Sequence, residues 1–201
     1  MEEWSLSEKL KYQIKESIQN VEVELTKIKQ ALDDENECIL CKVEEIQHML
    51  MHIQANAASY YMKTYLSPFT DCYIALTTAM QHLAEKKHGA LIAIERQDAL
   101  NNFIQSGTPL TAQLTAPLLE SIFYPGNPLH DGAVIIKENH IISASNILPL
   151  SQRVTTERKL GTRHRAAIGL SEISDALVLV VSEETGRTSF AMDGTLYTIS
   201  L

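Results

Sequence analysis

The first third of the chain carries apolar residues at a helical period. Ile14, Ile18, Val21, Leu25, Ile28 and Leu32 recur at intervals of four and three, and so do Ile39, Val43, Ile46, Leu50, Ile53, Ala57 and Tyr60. That spacing puts each set on one stripe of an α-helix. Between them lies an acidic turn, Asp33-Asp34-Glu35-Asn36-Glu37, in which Asp34 and Glu37 have capping-box spacing. Two amphipathic helices joined by a short turn predict an antiparallel hairpin. Such a hairpin cannot bury both of its faces, so the rest of the chain or another subunit must cover one. His48 and His52 flank the second stripe and lack the neighbouring Glu of a metalloprotease helix.

Ser67-Pro68 marks a boundary, because proline suits the first helical position after a serine cap. The pattern predicts a helix from Pro68 to Lys86 with Tyr73, Leu76, Met80 and Leu83 facing inward, stopped by Gly89. Ala90–Ile94 is a continuous apolar run and reads as a buried strand. A loop-rich stretch punctuated by Gly107 and Pro109 follows, then a short helix opened by Thr115-Ala116-Pro117 and running to Phe123. Further strands are expected at Ala133–Lys137, His140–Ser145 (extended by Ile147–Leu150), Ala176–Val181, Thr188–Met192 and Thr195–Leu201. Glu138-Asn139 and Asp193-Gly194 supply two-residue hairpin turns. A helix over Thr162–Leu170 interrupts the strands. The expected fold is therefore α/β: a mixed, twisted β-sheet flanked by helices over residues 67–201, preceded by the helical hairpin of residues 1–66.

Composition narrows the partners. The 201 residues carry 17 Lys and Arg against 25 Asp and Glu, a net charge of −8, so the chain as a whole should repel nucleic acid and anionic membranes. A cluster of arginines in that background points to a local anion site. No apolar run approaches the roughly 20 residues that span a bilayer. Met1-Glu2-Glu3-Trp4 lacks the basic and apolar regions of a signal peptide. Cys38 and Cys41 form half of a zinc motif, but no second pair follows, and they read as two reduced thiols at a helix start. These features together predict a cytoplasmic protein.

Two segments carry chemistry. His130-Asp131-Gly132-Ala133 offers a carboxylate where a loop meets a strand, beside a glycine that lets backbone approach a ligand. The same dipeptide is also a common turn. Thr162-Arg163-His164-Arg165 opens a helix, where free N–H groups and the helix dipole favour an anion and guanidinium forks match phosphate oxygens. Its bland alternative is a solvated basic face. Ser182-Glu183-Glu184-Thr185-Gly186 adds two carboxylates after another apolar strand; it is either part of a metal site or an acidic turn. Neither a P-loop nor a Rossmann turn is present, so a nucleoside triphosphate would be held some other way.

Taken in order, Gly89–Arg96, Pro128–Ile136, Leu160–Ala167 and Val181–Gly186 resemble the diadenylate cyclase domain, and the N-terminal hairpin resembles the sporulation-type soluble branch of that family. The resemblance implies condensation of two ATP into cyclic di-AMP and two pyrophosphates, with Mg²⁺ or Mn²⁺ as cofactor. It implies Asp131 as metal ligand and activator of the ribose 3′-hydroxyl, and Gly132 and Ala133 lining the nucleotide. Thr162, Arg163, His164 and Arg165, followed by Ala166, would hold the triphosphate. Adenine would lie against Leu148 to Leu150, and Glu184, with or without Glu183, would assist the metal. Each ATP attacks the other, so two domains must face each other about a two-fold axis in a homo-oligomer, with a dimer as the minimum and a hexamer among the options. The competing expectations are a non-catalytic nucleotide or cyclic-dinucleotide binding module on the same fold, and a structural assembly module driven by the heptads. All of this requires that Asp131 and residues 163–165 border a common pocket.

Overall fold

The structure, a computed structural model, describes residues 8–32, 38–105, 107–152 and 160–201. The acidic turn and its capping-box pair lie outside the described residues. The chain divides into two compact units. The first ends at Tyr61 and includes Ser200; the second holds Met62–Ile199 and Leu201.

The first unit consists of α1 (Glu8–Ala31) and the part of α2 (Ile39–Leu66) up to Tyr61. Both helices form where the four-three spacing predicts them. Only one line of each stripe is covered, however. Of the stripes, Val21 and Ile46 are buried, joined on α1 by Leu10 and Ala31 outside the stripe, whereas Ile18, Leu25 and Leu32 on α1 and Val43 and Leu50 on α2 are exposed. Cys38 and Cys41 are joined by a disulfide, which corrects the reading of two free thiols. The physical reason is local: the entry into α2 brings their Cα atoms to 5.4 Å, within the range that a disulfide spans.

In the second unit α2 continues through Met62 and Leu66, both fully buried. No helix starts at Pro68, contrary to the sequence expectation. Residues 67–69 form a turn that closes α2, Phe69 N–H donating to Leu66 O, and α3 runs over Tyr73–Glu85. Thr70 and Asp71 are tied instead to the Asn139 side chain, which sets where the chain re-enters a helix.

The remaining elements are β1 (Ala90–Glu95), β2 (Thr108–Gln113), α4 (Ala116–Ile122), β3 (Ala133–Lys137), β4 (His140–Asn146), α5 (Thr162–Ile173), β5 (Leu177–Val181), β6 (Thr188–Met192) and β7 (Thr195–Ile199). The seven strands form one mixed sheet of order β2-β4-β3-β1-β5-β6-β7, in which only β1 and β3 run parallel. The α/β expectation is borne out. β1 and β5 lie at the centre and are buried along their whole length, as their unbroken apolar runs demand. Strand β2 was read as loop. It is an edge strand with exposed residues, the position where Pro109 does least harm to a ladder. Ile147–Leu150 does not extend β4: Ile147 makes one bridge to Gln105 and the chain then leaves the sheet. Asp193 and Gly194 both have positive φ, 50° and 69°, as a two-residue hairpin turn requires.

Alternation along the strands makes two cores. Leu91, Ala93, Ile135, Val178 and Val180 pack with Ala166, Ala167 and Leu170 of α5 on one face. Helix α3 covers the other face with Leu76, Ala79, Met80 and Leu83, and α4 packs on α3. The small residues of α5 let it lie close to the sheet, so its N-terminus is fixed beside the ends of β3 and β5.

Candidate functional site

A cavity of about 970 Å³ opens in the second unit. Asp131 and Gly132 form one wall, just before β3 begins. Gly132 has φ +95°, and a Cβ there would stand 2.7 Å from the Asn146 carbonyl oxygen and 2.8 Å from the Ser145 carbonyl carbon. Glycine is thus required both by conformation and by the closeness of β4. The Asp131 side chain stays exposed toward the opening.

Helix α5 supplies the facing wall with Gly161, Thr162, Arg163, His164 and Ala166. Gly161 is its N-cap and offers no side-chain acceptor, so first-turn N–H groups remain for an anion. Nη1 of Arg163 lies 2.6 Å from Oε2 of Glu183, in the turn after β5. Its guanidinium passes over Gly89: a Cβ at that position would meet Nη1 at 2.6 Å and Cζ at 2.9 Å. His164 is half-buried, and burial pushes its imidazole below the ordinary histidine range against the opposing pull of Glu184. It is therefore mainly neutral at pH 7. Glu183 and Glu184 also line the cavity.

An apolar side is made by Leu91, Pro128, Ile147, Leu148 and Leu150. The cavity therefore offers both apolar and polar lining, as a heterocyclic base bearing a charged tail would need. Asp131, Gly132, Leu148, Leu150, Thr162, Arg163, His164, Ala166 and Glu184 all meet there. Two expected residues do not. Ala133 is fully buried, its carbonyl oxygen accepting from Asn146 Nδ2 at 2.8 Å. Arg165 is exposed and turns aside, its Nη2 donating to the Ser151 carbonyl at 3.3 Å while Ser151 N–H donates to the Arg165 carbonyl at 3.0 Å.

Other lining residues are missing from the expected set: Ser145, Asn146, Arg187, Ser189, Leu196 and Thr198 among them. Ser189 pairs with Thr198 and Ala191 with Leu196, so β6 and β7 present one face to the cavity. No local signal marks them, because strand adjacency decides their position. His130 was visible in the motif; its Nδ1 donates to the Asn127 carbonyl at 2.6 Å. Among the described residues no group of three or more His, Cys, Asp or Glu is gathered to hold a metal ion.

Residues 77–196 match the DAC family, described as DisA bacterial checkpoint controller nucleotide-binding. The chain belongs to the DAC family. Residues 1–69 match a second DAC-associated model, the N-terminal region of diadenylate cyclase CdaS. A DAC relative, "Diadenylate cyclase CdaS" of Bacillus thuringiensis (strain BMB171), is 64% identical over 201 residues, covering 100% of both chains. "Cyclic di-AMP synthase CdaS" of Bacillus subtilis (strain 168) is 51% identical over 170 residues, 85% of this chain and 82% of its own. Among solved structures, a protein from Bacillus cereus described as a hypothetical membrane spanning protein superposes with a TM-score of 0.81 at 64% identity, over 98% of this chain and 97% of that one. A double mutant of DacA from Staphylococcus aureus matches with a TM-score of 0.61 at 41% identity, over 64% of this chain and 85% of its own. The resemblance drawn from the motifs is thereby borne out for the DAC domain and for the CdaS-type N-terminal region. Among the described residues no helix is long and apolar enough to cross a membrane.

Proposed function

We propose that this protein is a diadenylate cyclase, a nucleotidyltransferase that joins two ATP molecules into cyclic di-AMP and releases two pyrophosphates. The observation that carries the reading is that Asp131 and the first turn of α5 border one cavity. Phosphoryl-type transfer asks for positioning and charge stabilisation more than for covalent catalysis. In this reading adenine occupies the apolar side at Leu148 and Leu150. The triphosphate lies along the first-turn N–H groups, Thr162, Arg163 and His164. Asp131 takes the proton from the ribose 3′-hydroxyl as its oxygen attacks the α-phosphorus of the second ATP. The bond from that phosphorus to the bridging oxygen breaks, and pyrophosphate carries the electron pair away. Arg163 stabilises the charge that grows on it. Arg165 is assigned a positioning role, holding through Ser151 the segment that carries Leu150.

The donor set fits Mg²⁺ or Mn²⁺ rather than a closed metal cage. Magnesium takes one or two protein carboxylates and completes its shell with phosphate and water. Asp131 and Glu184 would supply those carboxylates, and the ion would neutralise phosphate charge. One chain carries one copy of these groups, and cyclisation needs two nucleotides in opposed orientation. The active species is therefore a homo-oligomer in which two cavities face each other about a two-fold axis. We place the reaction in the cytoplasm, where ATP is supplied, and assign residues 1–66 a regulatory or assembly role in which their exposed apolar line is covered.

The test is incubation of the purified protein with ATP and Mn²⁺ and chromatographic detection of cyclic di-AMP. The rate per chain should rise with protein concentration below the dissociation constant of the facing pair. Asp131→Asn should bind ATP and form no product. ATP binding without product by the unaltered protein, at every concentration, would establish a nucleotide-binding module in place of the enzyme.

A further inference from the structure

The junction of β3 and β4 contains a feature that the catalytic reading does not use. Ala133 pairs with Asn146 and Ile135 pairs with Ser143. Between those pairs β3 has only Val134, whereas β4 has both Ala144 and Ser145. The extra residue makes a β-bulge, a device that re-aims a side chain next to a site. Ser145 sits in the left-handed region with φ +57°, where glycine or asparagine is at ease and serine is strained. The strain is held in place by Asn146, which is fully buried. Its Oδ1 accepts from Gly107 N–H at 2.9 Å and its Nδ2 donates to the Ala133 carbonyl at 2.8 Å.

Among the described residues Ser145 gains no hydrogen bond for this cost. Its hydroxyl is shielded from solvent and has no hydrogen-bond partner among the described residues. An unmet hydroxyl in that setting is unfavourable, and glycine would relieve both the strain and the orphaned group. Yet Ser145 belongs to the cavity wall, and its backbone, together with the Asn146 carbonyl oxygen, bars a side chain at Gly132, the residue after Asp131. Because Ser145 lines the cavity, a molecule bound there would supply the partner its hydroxyl lacks among the described residues.

We propose that Ser145 is a nucleotide-binding residue. Its hydroxyl donates to an oxygen of the ribose–phosphate portion of the ATP bound beside Asp131, and the bulge exists to aim it there. The inference rests on the diadenylate cyclase reading and adds to it a contact outside the two signature motifs. Because the contact is made to bound substrate throughout the reaction, it strengthens ground state and transition state alike. It should therefore appear in KM and not in kcat.

The decisive variant is Ser145→Gly in the full chain, which keeps the bulge and removes the hydroxyl. Thermal melting should show it as stable as the unaltered protein or more so. Its KM for ATP, and its Kd for 3′-deoxy-ATP (which binds but has no attacking hydroxyl), should rise about tenfold, with kcat changed less than twofold. The same comparison with 2′-deoxy-ATP locates the partner oxygen. Equal KM for both proteins identifies the 2′-hydroxyl, and the same tenfold loss with both deoxy analogues identifies a phosphate or ring oxygen. A loss seen with ATP but not with 3′-deoxy-ATP identifies the 3′-hydroxyl. An unaltered protein that turns over ATP alongside a Ser145→Gly variant with the same KM and Kd would overturn the role of Ser145 alone. An unaltered protein that binds no ATP would overturn the cyclase reading and this contact with it.

Discussion

Gly89→Ala separates folding from function in this protein. Gly89 is buried at the entrance to β1, and its φ lies outside the left-handed region, so alanine can take the same backbone conformation. The added methyl would stand 2.6 Å from Arg163 Nη1, 2.9 Å from Cζ and 3.0 Å from the Glu183 Cβ. A carbon–nitrogen contact needs about 3.5 Å, so the guanidinium must retreat by roughly 1 Å. It is the free end of a flexible side chain, and the fold absorbs that movement. The Arg163–Glu183 pair is mostly solvated on the glutamate side, so its loss costs less than about 1 kcal/mol. Removing a glycine from the unfolded chain returns about 0.4–1 kcal/mol. The melting temperature should therefore move by no more than a few degrees. Activity should not escape so lightly. A misplacement of about 1 Å in a charge-stabilising group costs up to about 100-fold. The expected fall in kcat/KM for ATP is about 10- to 100-fold, or about 1.4–2.7 kcal/mol of transition-state stabilisation. Initial rates of cyclic di-AMP formation, with melting curves on the same samples, make the measurement. Wild-type kinetics in Gly89→Ala would refute the reasoning, because they would mean that the position of Arg163 over Gly89 is irrelevant to the reaction.

Further expectations follow from the same geometry. Burial lowers the His164 pKa in the folded state, so below the ordinary imidazole value the unfolded chain binds the extra proton more readily. Its contribution to stability is complete above that value and is lost as pH falls through the folded pKa. Melting curves from pH 5 to 8 should show His164→Gln with a shallower loss on the acid side, and an unchanged slope would contradict the assignment. Asn146→Ala removes a buried amide and leaves Gly107 N–H and the Ala133 carbonyl without that partner, a loss of about 2–4 kcal/mol readable in urea denaturation. A change below about 1 kcal/mol would show that the bulge does not depend on it. Truncation should be made before Met62, not after Leu66, because Met62 and Leu66 are fully buried in the second unit. A chain starting at Met62 is expected to keep ATP binding and to show higher specific activity if the first unit restrains the cavities from facing each other. Lower activity with an intact fold would reject that restraint.

The residues proposed to do chemistry lie in short local segments, and most of them line the cavity. Asp131-Gly132 could equally be a turn and Thr162–His164 a solvated basic face; what singled them out was their joint occurrence in the order that resembles the family, and the fold brings both to one cavity. The long helices and the central strands were legible too, since a four-three period and an unbroken apolar run each admit one burial geometry. Where the pattern failed, packing decided. Pro68 looked like a helix start, but Asn139, far along the chain, ties down Thr70 and Asp71 and delays the helix to Tyr73. Thr108–Gln113 has no apolar run of its own and becomes a strand only because β4 offers it an edge. Arg165 shares a motif with Arg163, yet successive residues on a helix point about 100° apart. Two positions on, the side chain has left the cavity for Ser151.

By itself, then, the amino-acid order determined the long helices and the central strands, because those depend on periodicities that act over a few residues, and it carried the two motif segments whose resemblance pointed to the family. Tertiary structure alone brought Ser189, Leu196 and Thr198 to the cavity, since strand neighbours are chosen by the whole sheet. It also forced Ser145 into a left-handed bulge, because a serine takes that conformation only when its surroundings hold it there.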